Sequence, residues 1–162
     1  MTLQRKKGYH SMRALRIAGW ANIALAAGHV PAWTTFGWVG IEPQMRELAQ
    51  QGAALPYVLT VITAGFFLVF GLYALSGAGD LRRLPLLRSV VVLIAVIYLL
   101  RATLVGGIAD VLAGDVKQSV FAAIALLIGL CYASGAVALR RRHGKKAAKR
   151  VDLQSAQPDA GV

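Results

Sequence analysis

The chain has 162 residues, of which 57% are apolar, and its 18 Lys and Arg against seven Asp and Glu give a net charge of +11 and a mean hydropathy of +0.58. A soluble domain holds about half apolar residues even with glycine counted, so this composition excludes an ordinary soluble domain and points to an integral membrane protein. A single cysteine, Cys131, excludes an intramolecular disulfide and paired-thiol redox chemistry within one chain, and is read as a small packing residue.

Residues 1–16 form a basic N-terminal tail with Arg5, Lys6, Lys7, Arg13 and Arg16. The first span is expected at about 17–33, close to the roughly 20 residues that a hydrocarbon core of ~30 Å requires. Its basic flank, apolar stretch and the small residues Ala24 to Ala26 also fit a signal peptide. Arg16 shortens that apolar stretch, and Trp33, Phe36 and Trp38 suit an interfacial belt, so the span is read as retained. Within it, Ala18, Asn22, Ala26, His29 and Trp33 recur at spacings of four and three and share one helix face. Small residues allow helices to approach closely in a membrane, and an asparagine can hydrogen-bond across the contact, so this stripe should pack on another span.

The outer connection, Thr34 to Ala54, contains "IEPQMRELAQQGA". Pro43 suits a first helical turn and Glu42 its positive end, while Met45, Leu48, Ala49 and Gly52 fall on one face, predicting a short interfacial helix. A second span follows at about 56–76, with Thr60 and Thr63 in its outer part. Its segment "GFFLVFGLYALSG" (Gly65 to Gly77), followed by a basic turn, is similar to a hairpin of DoxX-like and other small bacterial four-span proteins. That likeness covers one hairpin, implies the four-span architecture, and assigns no site residue.

The turn "GAGDLRRLPLLR" places Arg82, Arg83 and Arg88 beside anionic headgroups. The third span is expected at about 89–105, carrying Tyr98 and Arg101, and "GGIADVLAGDVK" leaves its end open between Val105 and Leu112. The fourth span is expected at about 119–139. Residues 140–162 are basic to Arg150 and then polar, with too little apolar matter to pack, and are expected to be disordered.

Fifteen of the 18 basic residues fall in the N-terminal tail, the turn between spans two and three, and the C-terminal tail; Arg46, Arg101 and Lys117 fall on the opposite side. This alternation is what the positive-inside rule predicts for cytoplasmic termini. It accounts for the charge by orientation, so no nucleic-acid partner is expected. The fold class is therefore an all-α integral membrane protein, a four-transmembrane-helix bundle in a bacterial inner membrane with both termini inside.

Ionisable residues in lipid are costly and mark candidate sites. His29 lies thirteen residues beyond Arg16 and Arg101 thirteen beyond Arg88, which puts both roughly 20 Å above the inner surface. Near that shared layer the outer-face carboxylates Glu42, Glu47 and Asp110 offer Arg101 a counter-charge, Thr60 and Thr63 reach it with hydroxyls, and Tyr98, one turn before Arg101, offers a phenol. The candidate ligand-binding set is thus His29, Arg101, Asn22, Tyr98, Thr63, Glu42 and Glu47. Each has a plainer reading as well. Arg101 can snorkel to the outer headgroups, His29 can bond a carbonyl freed by Pro31, Asn22 can be interhelical glue, and the threonines can bond their own helix.

No metal or cofactor is expected. Haem between spans needs two axial ligands, and the one histidine placed within a span would require two chains each giving His29. Zinc sites, histidine-rich di-iron clusters and Ser/His/Asp sets lack residues, and "GGIAD" and "GAGD" are not phosphate-binding loops. No Asp or Glu lies mid-span, where proton-coupled multidrug carriers of similar size usually place an acidic residue.

Three functions follow. The first is an accessory or binding subunit without its own catalysis, associating with itself or another membrane protein through stripes such as Gly65 to Gly71 and Gly129, Ala133, Ala136, with anionic lipids at the cytoplasmic face. The second is a small dimeric transporter or channel for an anion or proton using His29 and Arg101. The third is an enzyme acting on a lipid or quinone, with His29 as acid/base and Arg101 binding a negative oxygen.

Overall fold

A computed structural model describes residues 2–32, 43–104, 114 and 116–155, all helical or in turns, with no strand among them. The helices are α1 (Thr2–Ala32), α2 (Pro43–Gln50), α3 (Leu55–Ala78), α4 (Leu87–Leu104) and α5 (Val116–Ser155). Three are long and apolar enough to cross a membrane: Leu55–Ala78, Leu87–Leu104 and the Ser119–Arg141 part of α5. α1 does not reach that apolarity among the described residues, since Arg16, Asn22 and His29 dilute it.

α1 packs mainly on α3 and α4 mainly on α5, and contacts of α1 with α5 and of α3 with α4 close the ring; α2 rests on α3. Neighbours run antiparallel. Leu15 near one end of the bundle meets Gly77 and Gly135, whereas His29, four turns along α1, lies against Phe67. Close approach depends on glycine. A Cβ on Gly71 would sit 2.9 Å from the Gly19 carbonyl oxygen, and one on Gly135 would sit 2.9 Å from Leu15, whose side chain is fully buried.

The outward faces are apolar: Phe66, Leu93 and Leu127 are each more than half exposed. Large hydrophobic residues on the outward faces, with glycines at the closest helix contacts, fit a lipid solvent, where helices gain much from close packing.

α3 ends in a Schellman arrangement, with Gly79 at φ 96° and the Asp80 N–H donating to the Leu75 carbonyl at 2.9 Å. Ser76 Oγ then donates to the Arg82 carbonyl at 2.9 Å and accepts from the Leu84 N–H at 3.1 Å, so a buried hydroxyl holds the turn. Arg16 reaches across from α1 and grips Asp80 with both Nε (2.6 Å) and Nη2 (2.5 Å). The arginine side chain is 52% exposed and the aspartate 31%, so solvent screens the pair. Asp80→Asn should therefore lower stability by no more than ~1 kcal/mol, and a larger drop in the SDS-unfolding midpoint would show that the pair is worth more than an exposed ion pair.

One sequence expectation differs from the structure. The segment from 140 was expected to be disordered, but α5 runs unbroken to Ser155, while the basic segment 1–16 is helical from Thr2. The missing apolar residues argue against packing, not against helix. A helix already nucleated in the bundle extends through Lys, Arg and Ala at little cost, and between 140 and 155 Gly144 is its weakest former and no proline interrupts it. A short helix is found where one was expected in the first long connection, as α2, beginning at Pro43. The link at 105–113, where the end of span three was left open, and residues 156–162 lie outside the described residues.

Candidate functional site

The buried polar constellation of the bundle is a knot in which all four long helices meet. Asn22 on α1 is fully buried. Its Nδ2 donates to the Ala18 carbonyl at 2.9 Å, one turn earlier, and lies 3.2 Å from Tyr132 Oη on α5. Its Oδ1 accepts a hydrogen bond from Tyr98 Oη on α4. Tyr132 Oη in turn donates to the Phe70 carbonyl on α3 at 2.7 Å.

The two phenol rings stack with centroids 6.0 Å apart and planes 17° apart, and Phe70 meets Tyr98 edge-on at 6.1 Å. These geometries are those aromatic pairs prefer, so apolar packing and hydrogen bonding favour the same arrangement. Among the described residues no buried side-chain nitrogen or oxygen lacks a partner. In an apolar interior that closure is required, because each orphaned polar group is expensive and no water is present to satisfy it.

The other sequence candidates sit elsewhere. His29 is half-buried on the α1–α3 seam, with Nδ1 2.6 Å from the Leu25 carbonyl and its ring 5.3 Å from that of Phe67. Pro31 removes the donor that would serve the Ala27 carbonyl, so the carbonyl His29 reaches is not the one the proline frees. Arg101 lies on the exposed side of α4. Equal depth did not put them on facing sides of the bundle.

Thr63 is exposed and donates to the Leu59 carbonyl at 2.8 Å, and Thr60 donates to that of Pro56 at 2.8 Å, so both serve their own helix. Glu47 is exposed on α2. Glu42 and Asp110 lie outside the described residues. Of the candidates, then, the structure joins Asn22 and Tyr98, and adds Tyr132.

Tyr132 carried a readable signal. Counted from the basic residues at one end of the bundle, Asn22 is six beyond Arg16, Tyr98 ten beyond Arg88, and Tyr132 eight before Arg140. At 1.5 Å per residue these distances are roughly 9–15 Å, one layer of the bundle. The depth comparison that drew attention to His29 and Arg101 also applies here, to residues whose chemistry is to hold one another.

Among the described residues no group of three or more His, Cys, Asp or Glu is placed to hold a metal ion. Two shallow, open depressions lie on outward faces, away from Asn22. One of about 480 Å³ is lined by Arg88, Ser89, Val92, Leu93 and Val96, and one of about 230 Å³ by Tyr57, Val58, Val61 and Ile62. Comparison with protein-family models, with curated proteins and with solved structures gives no match for this chain.

Proposed function

We propose that the chain is a small polytopic membrane protein that works as an accessory or binding subunit, without catalysis of its own. The observation that carries this reading is the closure of the Asn22–Tyr98–Tyr132 knot. The polar groups buried in the bundle are engaged with one another and with the backbone, which suits a scaffold. Chemistry would call for a polar group turned toward a cavity, and the two shallow depressions on the described residues open outward instead.

In this reading α1 is the fourth span. Its mean apolarity is lowered by residues that the bundle uses: Asn22 bonds within the core, and Arg16 sits at the inner edge with Asp80. The fifteen clustered basic residues support an orientation with both termini in the cytoplasm of a bacterial cell, next to the anionic lipids of the inner membrane. A second copy or another membrane protein covers part of the outward apolar surface.

Native mass spectrometry tests this on the full chain purified from its host membranes in mild detergent, beside His29→Ala and Arg101→Ala. The expected result is a homo-oligomer or a protein complex that both substitutions leave intact. A small molecule bound to the unaltered chain and lost from both variants would overturn it, in favour of transport or catalysis in the outer layer.

A further inference from the structure

The larger outward depression runs along α4 from Arg88 and Ser89 to Val96, a length of about 12 Å at the helical rise. Its two ends differ in chemistry. Arg88 and Ser89 lie in the first turn of α4, at the membrane edge, and Val92, Leu93 and Val96 continue inward as an exposed apolar floor.

Among the described residues nothing neutralises the polar end. No side chain there pairs with Arg88, and Arg82 and Arg83 in the adjoining turn are exposed. The acid of that turn, Asp80, is gripped by Arg16. Immediately before α4, Leu86 adopts a left-handed conformation (φ 52°) that is unusual for a leucine, and its side chain is 76% exposed. It stands as an apolar group at the level where headgroups meet acyl chains.

A positive, hydrogen-bonding end followed by an open apolar strip of about 6 Å on α4 has the same order of parts as a phospholipid headgroup and the first carbons of its acyl chain. We propose that this depression is a binding site for one anionic phospholipid of the inner leaflet, its phosphate at Arg88 and Ser89 and the first carbons of one acyl chain along Val92, Leu93 and Val96. The proposal rests on the membrane reading above and adds a specific site and ligand class to it. A free phosphate would gain nothing from the apolar strip, and a neutral lipid would leave Arg88 without a counter-charge.

The test uses the full chain in nanodiscs holding equal amounts of phosphatidylglycerol and phosphatidylcholine, with native mass spectrometry reading the lipid retained on release. The unaltered chain is expected to keep phosphatidylglycerol in preference to phosphatidylcholine. Arg88→Gln should reduce that retention about fivefold, the weight of one basic residue beside an anionic group. Val92→Trp, which covers the strip and leaves the charge, should abolish it, while Arg101→Gln at the far end of α4 should leave it unchanged.

Equal retention of both lipids, or retention in Arg88→Gln or Val92→Trp equal to that of the unaltered chain, overturns the site. Both substitutions are at exposed positions, and unchanged helicity by circular dichroism checks that folding is preserved. A chain that fails to enter the nanodiscs overturns the membrane reading itself. The accessory reading fails by a different observation, a small molecule lost with the His29 and Arg101 variants.

Discussion

Valine in place of Gly71 is expected to destabilise the bundle by about 3 kcal/mol, the upper end of overpacking penalties. A Cβ at this position meets Ile23 Cγ1 at 2.8 Å and the Gly19 carbonyl oxygen at 2.9 Å. The isoleucine can turn away, but the carbonyl belongs to the backbone of α1, so relief requires α1 and α3 to separate. Separation weakens the most extensive contact α1 makes, in a setting where close packing is the main force holding helices together.

Gly65 provides an internal control on the same helix, since a Cβ there has nothing within 4 Å. Gly65→Val makes the same chemical change on an outward face and should stay within ~0.5 kcal/mol of the unaltered chain. SDS-unfolding midpoints followed by circular dichroism compare the two. Similar losses in both variants would mean that helix propensity, and not the α1–α3 approach, is being measured.

The second large effect is expected at Asn22. Asn22→Ala removes the links to Tyr98 and Tyr132 and leaves the Tyr98 hydroxyl buried with no acceptor. Interhelical side-chain bonds in membranes average only ~0.6 kcal/mol, whereas an orphaned buried polar group costs about 1–3 kcal/mol, so the orphan dominates. The total should be about 2 kcal/mol.

Tyr98→Phe strands only the Asn22 Oδ1 and should cost about 1 kcal/mol. Tyr132→Phe should cost less again, because Asn22 Nδ2 keeps the Ala18 carbonyl and the Phe70 carbonyl keeps its place in the α3 ladder. The double variant Asn22→Ala, Tyr98→Phe should be less damaging than the sum of its parts, since the phenylalanine has no hydroxyl left to orphan. Additive losses would show that the two residues do not share a bond.

Much of the architecture was readable from the chain by itself. The apolar runs at 55–78, 87–104 and 119–141 locate three helices of spanning length, because one stretch of about 20 apolar residues is enough to identify a helix suited to lipid. Pro43 at the start of α2 and Gly79 at the end of α3 mark their helices through local backbone chemistry, which needs no knowledge of the rest of the fold. Asn22, Tyr98 and His29 stood out for the same kind of reason: polar side chains in apolar surroundings must be satisfied.

What only the tertiary structure decided is which of them meet. Depth along a helix follows from counting residues at 1.5 Å each, but rotation about the axis depends on how that helix packs against its neighbours. His29 and Arg101 match in depth and diverge in direction, one on the α1–α3 seam and the other on the exposed side of α4. Asn22, Tyr98 and Tyr132 match in both. The glycines that allow α1 and α3 to touch, and the leucine wedged between Gly77 and Gly135, set those rotations through contacts between residues far apart in the chain, which no single segment contains.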